Sequence, residues 1–271
     1  MPEFCRAGAT LHYEITGSGP LLLALHGFTG SAESFAPLAR SLRGHRVARL
    51  ELLGHGGSDA PGESARYGVW EAAQDVLTLL ESLGEAKADL LGYSLGGRVA
   101  MRAALLAPGR VRSLVLESAS PGITSMAERA RRVESDEALC RVLSQGGIEA
   151  FVARWEAHPL FASQARCPPG RLARQRAERL RQRPDGLCGS LRGAGAGATD
   201  DVSLRLGEIK APVLLIAGAR DAKYGAKLQA MASAMGAAEL AIVPAAGHNV
   251  HFERPRVFAR LVQEFLARLA R

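Results

Sequence analysis

The stretch Ala88-Asp89-Leu90-Leu91-Gly92-Tyr93-Ser94-Leu95-Gly96 decides the fold. Residues 88–91 have the apolar character of a buried strand, and residues 95–107 have helical spacing until Pro108 helps to end the helix. A Gly-x-Ser-x-Gly sequence between a strand and a helix is typical of a sharp turn with a nucleophilic serine, here Ser94, at its apex. The glycines are needed because a side chain there would clash with the neighbouring strand and helix. An ordinary strand-to-helix turn is the alternative interpretation.

Strand-like and helical stretches alternate on both sides of this turn. This alternation predicts an α/β fold with a mostly parallel sheet and helices on both of its faces. The predicted strands are 21–25, 46–50, 88–91, 111–116, 212–217 and 238–243, and the predicted helices are 32–42, 69–83, 95–107 and 256–269.

The alternation stops between residues 121 and 192. This region contains helical, arginine-rich segments around Trp155 and Arg174 and no strand-like run. The alternating Gly and Ala of residues 193–198 predict a flexible connector. We therefore expect residues 1–120 and 193–271 to form one α/β core. Residues 121–192 are predicted to form a helical cap (lid) inserted between two strands, above the strand ends where ligands bind.

The composition is that of a soluble globular protein. The chain has 271 residues, of which 47% are hydrophobic and 23% charged, and this balance excludes a disordered chain. It lacks the roughly 20 consecutive apolar residues of a membrane span, and residues 1–6 lack the apolar core of a signal peptide. We expect a cytoplasmic protein without a membrane partner. The four scattered cysteines are expected to be reduced thiols, with no metal site.

The formal net charge is +7, and 30 of the 34 basic residues are arginines. A biased genomic base composition is one explanation. Guanidinium groups directed at an anionic small molecule are another. The charge is spread along the chain without a recognition motif, so no nucleic-acid partner is predicted. The sequence leaves the oligomeric state open.

A serine hydroxyl needs a base before it can act, and His248 fits that role. It follows the last predicted strand and precedes the last helix. In the chain order Ser–Asp–His, Asp221, just past the strand 212–217, is the orienting acid. A surface histidine and a turn aspartate are the alternatives. The backbone N–H groups of Leu95 and Phe28 are the candidates for an oxyanion hole, which needs two donors directed at one oxygen.

Together these features resemble the α/β-hydrolase superfamily over nearly the whole chain. A narrower resemblance is to the menaquinone-pathway lyases called 2-succinyl-6-hydroxy-2,4-cyclohexadiene-1-carboxylate synthases. Gly97-Arg98 directly after the turn, and Gly-His-Asn-x-His at 247–251, are more specific than Gly-x-Ser-x-Gly. The matching segments are 25–31, 53–58, 93–98, 117–122, 132 with 135–136, 155, 159–161, 221–224 and 247–251.

This resemblance implies the elimination of pyruvate from a cyclohexene that carries three carboxylates, with Ser94, Asp221 and His248 acting as a base relay. It implies no cofactor. Arg98, Arg132 and Arg176 are implied as carboxylate ligands, with Trp155 and Tyr93 as pocket walls.

Three of these assignments have alternatives. Arg131 competes with Arg132 because two arginines are adjacent. Arg176 lies among six arginines between 171 and 183, where a solvated helix face is an alternative. Trp155 also fits the core of the cap.

Two other classes of function remain open. The first is a serine hydrolase, either a carboxylesterase or a carbon–carbon bond hydrolase, that uses the same three residues. The second is a non-catalytic ligand receptor or scaffold of the same fold, against which the intact Ser94, Asp221 and His248 set argues. Fold alone does not separate the lyase from the hydrolase. The arginines do, because a neutral ester needs none of them.

Overall fold

The strand Leu21–Leu25 is buried along its whole length and lies near the middle of an eight-stranded sheet. The structure is a computed structural model that describes residues 2–269. The strands are β1 (Glu3–Arg6), β2 (Ala9–Gly17), β3 (Leu21–Leu25), β4 (Arg46–Leu50), β5 (Ala88–Tyr93), β6 (Val111–Glu117), β7 (Val213–Gly218) and β8 (Ala238–Val243). They lie in the order β1-β2-β4-β3-β5-β6-β7-β8.

All neighbouring strands from β4 to β8 are parallel, as predicted. The six predicted strands are confirmed to within two residues at each end. The sequence analysis did not predict β1 and β2, which pair with each other and add to β4 in the antiparallel direction, with Tyr13 opposite Leu50. They extend one edge of the sheet.

The helices lie between the strands, as the alternation predicts. The predicted helix 32–42 is a 3₁₀ turn over Ala32–Phe35 that continues into a short α-helix. Within residues 2–269, no helix has the length and apolarity needed to cross a bilayer. The α-helices are α1 (Ala36–Ser41), α2 (Val69–Ser82), α3 (Leu95–Leu106), α4 (Met126–Glu156), α5 (Pro169–Leu180), α6 (Pro184–Ala194), α7 (Ala222–Ala234), α8 (Val250–Glu253) and α9 (Pro255–Leu269).

The sheet is covered by helices on both faces. Successive residues of β3 alternate between the two sides: Leu21, Leu23 and Leu25 pack with α2 and α3, while Leu22 and Ala24 pack with α1 and α9. Full burial of a leucine contributes about 1.5–3 kcal/mol relative to its exposure. This double burial explains why the central strands are continuous apolar runs.

Helices α4, α5 and α6 lie between β6 and β7 and have a small apolar core of their own. Helix α4 is kinked at Gly147, where φ is 71°. The boundary of the cap at residues 121 and 192 stays a prediction. The flexible connector at 193–198 was wrongly predicted, because this segment is packed against its neighbours: a Cβ on Gly193 would lie 2.1 Å from the carbonyl oxygen of Ser64, and one on Gly197 would lie 2.7 Å from that of Arg129.

Candidate active site

Ser94 lies at the sharp turn between β5 and α3. Its φ of 50° and ψ of −103° are unfavourable for a residue with a side chain, so the surrounding structure must maintain them. A Cβ on Gly92 would lie 2.3 Å from the carbonyl oxygen of Gly96, and a Cβ on Gly96 would lie 2.1 Å from that of Leu25. The predicted need for both glycines is confirmed.

His248 connects Ser94 to Asp221. Its Nδ1 is 2.6 Å from Oδ2 of Asp221, and its Nε2 is 3.4 Å from Oγ of Ser94. The imidazole and the carboxylate are both buried. With the Nδ1–H donating to Asp221, Nε2 is free to accept the serine proton. The distance of 3.4 Å exceeds the roughly 2.6–3.2 Å of proton transfer, so the two atoms must approach before the proton moves.

Asp221 is positioned by the start of α7. One carboxylate oxygen, Oδ1, accepts the backbone N–H of Tyr224 at 3.2 Å and caps the helix, which leaves Oδ2 for His248. The Tyr224 ring meets the His248 ring edge-on, with centroids 4.4 Å apart. The structure thus brings together the three residues that the sequence analysis selected, in the order Ser–His–Asp. Their catalytic role stays a prediction.

The two candidate oxyanion donors lie beside Ser94. Leu95 is the first residue of α3, where the helix dipole favours negative charge, and Phe28 follows β3 in a tight loop closed by the Gly30 N–H on the Gly27 carbonyl. Neither the Leu95 nor the Phe28 N–H has a hydrogen-bond partner within residues 2–269. Both residues line the cavity described next. Their role as an oxyanion hole stays a prediction.

A cavity of about 180 Å³ extends from Ser94 and His248 to the cap. The predicted pocket residues Tyr93 and Trp155 both line it. Trp155 meets the Phe28 ring edge-on at 5.2 Å and stacks on Phe151 at 5.9 Å, so it belongs to the cavity wall and to the core of the cap at once. The contact of Trp155 with a substrate stays a prediction.

Arg98 is a buried cation in the wall of this cavity. Its Nη1 donates to the Ala194 carbonyl at 2.7 Å and to Thr199 Oγ1 at 2.6 Å, which fixes the guanidinium beside the end of α6. Burial lowers the pKa of Arg98 to about 10, so it stays charged at neutral pH. Its Nε and Nη2 have no partner within the described residues. The side chain can therefore bind an anion with its free N–H groups.

Arg132 also lines the cavity, whereas its competitor Arg131 is exposed. Arg132 Nε donates to Asp136 Oδ1 at 2.9 Å, one helical turn further along α4. Burial raises the pKa of Asp136, an effect that Arg132 partly opposes. The structure thus favours Arg132 over Arg131 as the cavity-facing arginine.

Arg176 is not brought to the cavity. It bonds to Glu156, its side chain is 45% exposed, and it is not among the residues that line the cavity. The arginine that α5 turns inward is Arg179, which is buried and lies over the Phe161 ring at 5.4 Å. The expectation that Arg176 contacts a substrate is thus unsupported by the geometry, and the solvated face is the better interpretation.

Several lining residues were missed. Arg154, Phe161, Ser118 and Ser120 line the cavity but were not singled out as site residues. Arg154 directly precedes Trp155 in the chain, which is the one signal that could have drawn attention to it. Within residues 2–269, no cluster of three or more His, Cys, Asp or Glu side chains could hold a metal ion.

Comparison with known proteins identifies the family of this chain. Residues 20–255 match the family described as alpha/beta hydrolase fold. A protein from Bacillus subtilis, provisionally named as a 2-succinyl-6-hydroxy-2,4-cyclohexadiene-1-carboxylate synthase, is 40% identical over 94% of this chain and 95% of its own. A synthase of the same name from Klebsiella pneumoniae is 31% identical, over 92% of this chain and 94% of its own.

Solved structures give the same result. The structure of MenH from S. aureus superposes with a TM-score of 0.91 at 30% identity, covering 96% of this chain and 99% of that one. A hydrolase from Pseudomonas aeruginosa superposes with a TM-score of 0.84 at 30% identity, covering 98% and 97%. The chain therefore belongs to the alpha/beta hydrolase fold family and, within it, to the 2-succinyl-6-hydroxy-2,4-cyclohexadiene-1-carboxylate synthase family.

Proposed function

We propose that this protein is a carbon–oxygen lyase of menaquinone biosynthesis. It eliminates pyruvate from 2-succinyl-5-enolpyruvyl-6-hydroxy-3-cyclohexene-1-carboxylate and yields 2-succinyl-6-hydroxy-2,4-cyclohexadiene-1-carboxylate. The names of the relatives from B. subtilis and K. pneumoniae support this product. The elimination needs a base and a site for a developing oxyanion, but no attacking water and no acyl-enzyme.

The observation that carries the proposal is the presence of Arg98 and Arg132 in the same cavity as Ser94 and His248. The substrate has three carboxylates, and a guanidinium fork pairs with a carboxylate through two parallel hydrogen bonds. A neutral ester would supply no carboxylate to either guanidinium, so Arg98 would keep only its two neutral acceptors and Arg132 only Asp136. The arginines therefore favour the lyase over a general esterase.

The first step is the removal of the proton next to the succinyl ketone. Ser94 gives its proton to Nε2 of His248 and takes up the substrate proton, while Asp221 stabilises the imidazolium through Nδ1–H. The electron pair moves onto the ketone oxygen, which the N–H groups of Phe28 and Leu95 receive. Burial raises the pKa of Tyr93 well above its usual value, so its phenol adds no negative charge beside the enolate.

The second step breaks the carbon–oxygen bond to the enolpyruvyl group. The enolate electrons form a new ring double bond, the existing ring double bond shifts by one carbon, and the electron pair of the broken carbon–oxygen bond leaves with the enolate of pyruvate. It takes the proton from His248, which restores the neutral imidazole; the Ser94 hydroxyl was already restored by the substrate proton in the first step. Every proton and electron pair is then accounted for without a cofactor.

The test is pyruvate release from the enolpyruvyl substrate, with cleavage of a short-chain aryl ester measured in parallel. Ser94→Ala should lower pyruvate release by at least about 10³-fold. Arg98→Gln should lower kcat/KM by about 10- to 100-fold, because it removes charge-assisted hydrogen bonds. Arg110→Gln is the matched control: Arg110 also donates to backbone carbonyls of the core, those of Ala86 and Glu85, but it does not line the cavity.

Two outcomes separate the functions. Fast pyruvate release that is lost in Ser94→Ala and weakened in Arg98→Gln, but not in Arg110→Gln, supports the lyase. Ester cleavage that needs Ser94 and ignores Arg98, with no pyruvate above background, would make this protein a serine hydrolase that shares only its ancestry with the synthases.

A further inference from the structure

A second buried carboxylate–imidazole pair lies behind the site. Glu117, the last residue of β6, is completely buried, and His251 lies in α8. The His251 backbone N–H donates to Oε1 of Glu117 at 2.9 Å, and its Nδ1–H donates to Oε2 at 2.6 Å. One residue thus binds both oxygens of a carboxylate that would be costly to bury without such partners. The proposed mechanism does not use this pair.

The backbone of Glu117 is joined to the nucleophile. The Ser94 N–H donates to the Glu117 carbonyl at 2.9 Å, and Tyr93 is the register partner of Glu117 between β5 and β6. Glu117 therefore holds the turn of Ser94 with its main chain and the segment after His248 with its side chain. Glu117 alone therefore connects the turn of Ser94 with the segment after His248.

The segment that carries His248 is fixed on both sides. His251 follows His248 by three residues and is held by Glu117. Gly247 precedes it, and its N–H donates to Oε2 of the buried Glu253 at 2.9 Å. Because both anchors are side-chain carboxylates bound to backbone N–H groups, they determine the position of the main chain at His248.

Aromatic contacts also connect His251 with His248 and the Ser94 turn. The Tyr93 ring lies between two imidazoles, with its centroid 5.5 Å from that of His248 and 4.9 Å from that of His251. Phe35 packs on the His251 ring at 4.5 Å. A shift of His251 would therefore move Tyr93, which is adjacent to Ser94 in the chain and in contact with His248.

We propose that Glu117 and His251 are positioning residues that set the distance between Nε2 of His248 and Oγ of Ser94. They do not touch the substrate in this proposal; they act through His248 and the turn. The inference rests on the proposed function only because pyruvate release is one of its two measurements. A displacement of about 1 Å between reacting groups can lower a rate by about 10²-fold, so the pair matters for kcat.

Glu117→Gln keeps an acceptor for the His251 backbone N–H but removes the charge that holds the imidazole. We expect kcat for pyruvate release to fall by about 10- to 100-fold, with KM changed by less than about twofold. The rate at which a fluorophosphonate probe labels Ser94 should fall by a similar factor. His251→Gln, which retains a side-chain amide donor near Glu117, should show a smaller decrease in both rates.

Asp89→Asn is the matched control. Asp89 is a buried carboxylate at the other end of β5, held by Ser113 Oγ at 2.7 Å and by Arg112 at 2.6 Å. Its substitution should lower the melting temperature about as much as Glu117→Gln does and leave kcat and Ser94 labelling within about twofold of the original protein. A purely structural role for Glu117 would give the same pattern as Asp89.

Ser94 labelling that stays within twofold in both Glu117→Gln and His251→Gln would overturn the proposal. If Glu117→Gln does not fold, His251→Gln decides the question alone. If the unaltered protein releases no pyruvate but the variants still slow Ser94 labelling, the proposed function fails and the positioning role stands. The two proposals can therefore fail separately.

Discussion

The core and the cap contribute to the same cavity in different ways. In the core, Ser94, Asp221 and His248 each follow a strand of the sheet, and the strands before Ser94 and Asp221 are buried along their whole length, so the backbone determines where these residues lie. In the cap, Arg132 and Arg176 lie on helices, where each residue is rotated by about 100° from the last. One residue of a cap helix can thus face the cavity while its neighbour in the chain faces solvent. The end of a strand therefore predicts where a site residue lies, whereas a cap helix predicts only which residues could face the cavity.

The largest effect should come from a change at the point where the core is tightest. Gly96→Ala would place a Cβ 2.1 Å from the Leu25 carbonyl oxygen, and this backbone atom cannot move without separating α3 from β3. We expect a loss of about 3 kcal/mol or more in the free energy of unfolding, together with loss of activity. Urea unfolding monitored by circular dichroism measures the change in the free energy of unfolding.

Gly170→Ala in α5 is the corresponding change in the cap. A Cβ there meets no atom within 4 Å, so its effect on stability should be below about 1 kcal/mol. Equal destabilisation by the two substitutions would contradict the view that the core is the more tightly determined region.

The next effect should come from the Asp221–His248 pair. Asn at position 221 can still cap α7 through its side-chain oxygen, so the fold should be kept. It cannot hold the Nδ1–H of His248 as a carboxylate does, and the tautomer that accepts the Ser94 proton is lost. We expect Asp221→Asn to lower kcat by about 10³- to 10⁴-fold with little change in melting temperature. A decrease of less than tenfold would mean that another group orients His248.

Most of the core could be predicted from the sequence because its strands are buried. Continuous apolar strands and the glycines around Ser94 have one arrangement that buries them. The candidate catalytic residues lie just after the ends of these strands. The strands β1 and β2 were missed because they are short or only half-buried, so their pattern is weaker than that of the central strands. The pairing of Glu117 with His251 was also out of reach, since it joins residues that are 134 positions apart.

The cap was predicted less well. Its helices carry arginines on several faces, and the sequence does not state which face packs on the core. Arg132 lies towards the cavity and Arg176 does not, although both came from the same resemblance. The segment 193–198 was read as flexible because Gly and Ala are typical of linkers, but here their small size allows close packing against α4 and the core.

A smaller effect should distinguish the two neighbouring arginines of α4. Arg132→Gln removes a cation from the cavity, so KM for the enolpyruvyl substrate should rise by about 10-fold. Arg131→Gln removes the same charge from an exposed position one residue away, and KM should stay within about twofold. Steady-state kinetics of pyruvate release at a fixed ionic strength gives both values. An increase in KM for Arg131→Gln alone would reverse the assignment.

The smallest effect should be that of Arg176→Gln. Its ion pair with Glu156 is largely exposed, and such pairs contribute about 0–1 kcal/mol. We expect kcat and KM to change by less than about twofold, whereas Arg179→Gln, which empties a buried position over Phe161, should also lower the melting temperature. If Arg176→Gln instead raised KM tenfold while leaving stability unchanged, α5 would have to turn its outer face towards the substrate during the reaction. The core and the cap would then differ in mobility as well as in the direction of their side chains. A cap helix could rotate during the reaction, whereas a residue at the end of a buried strand could not.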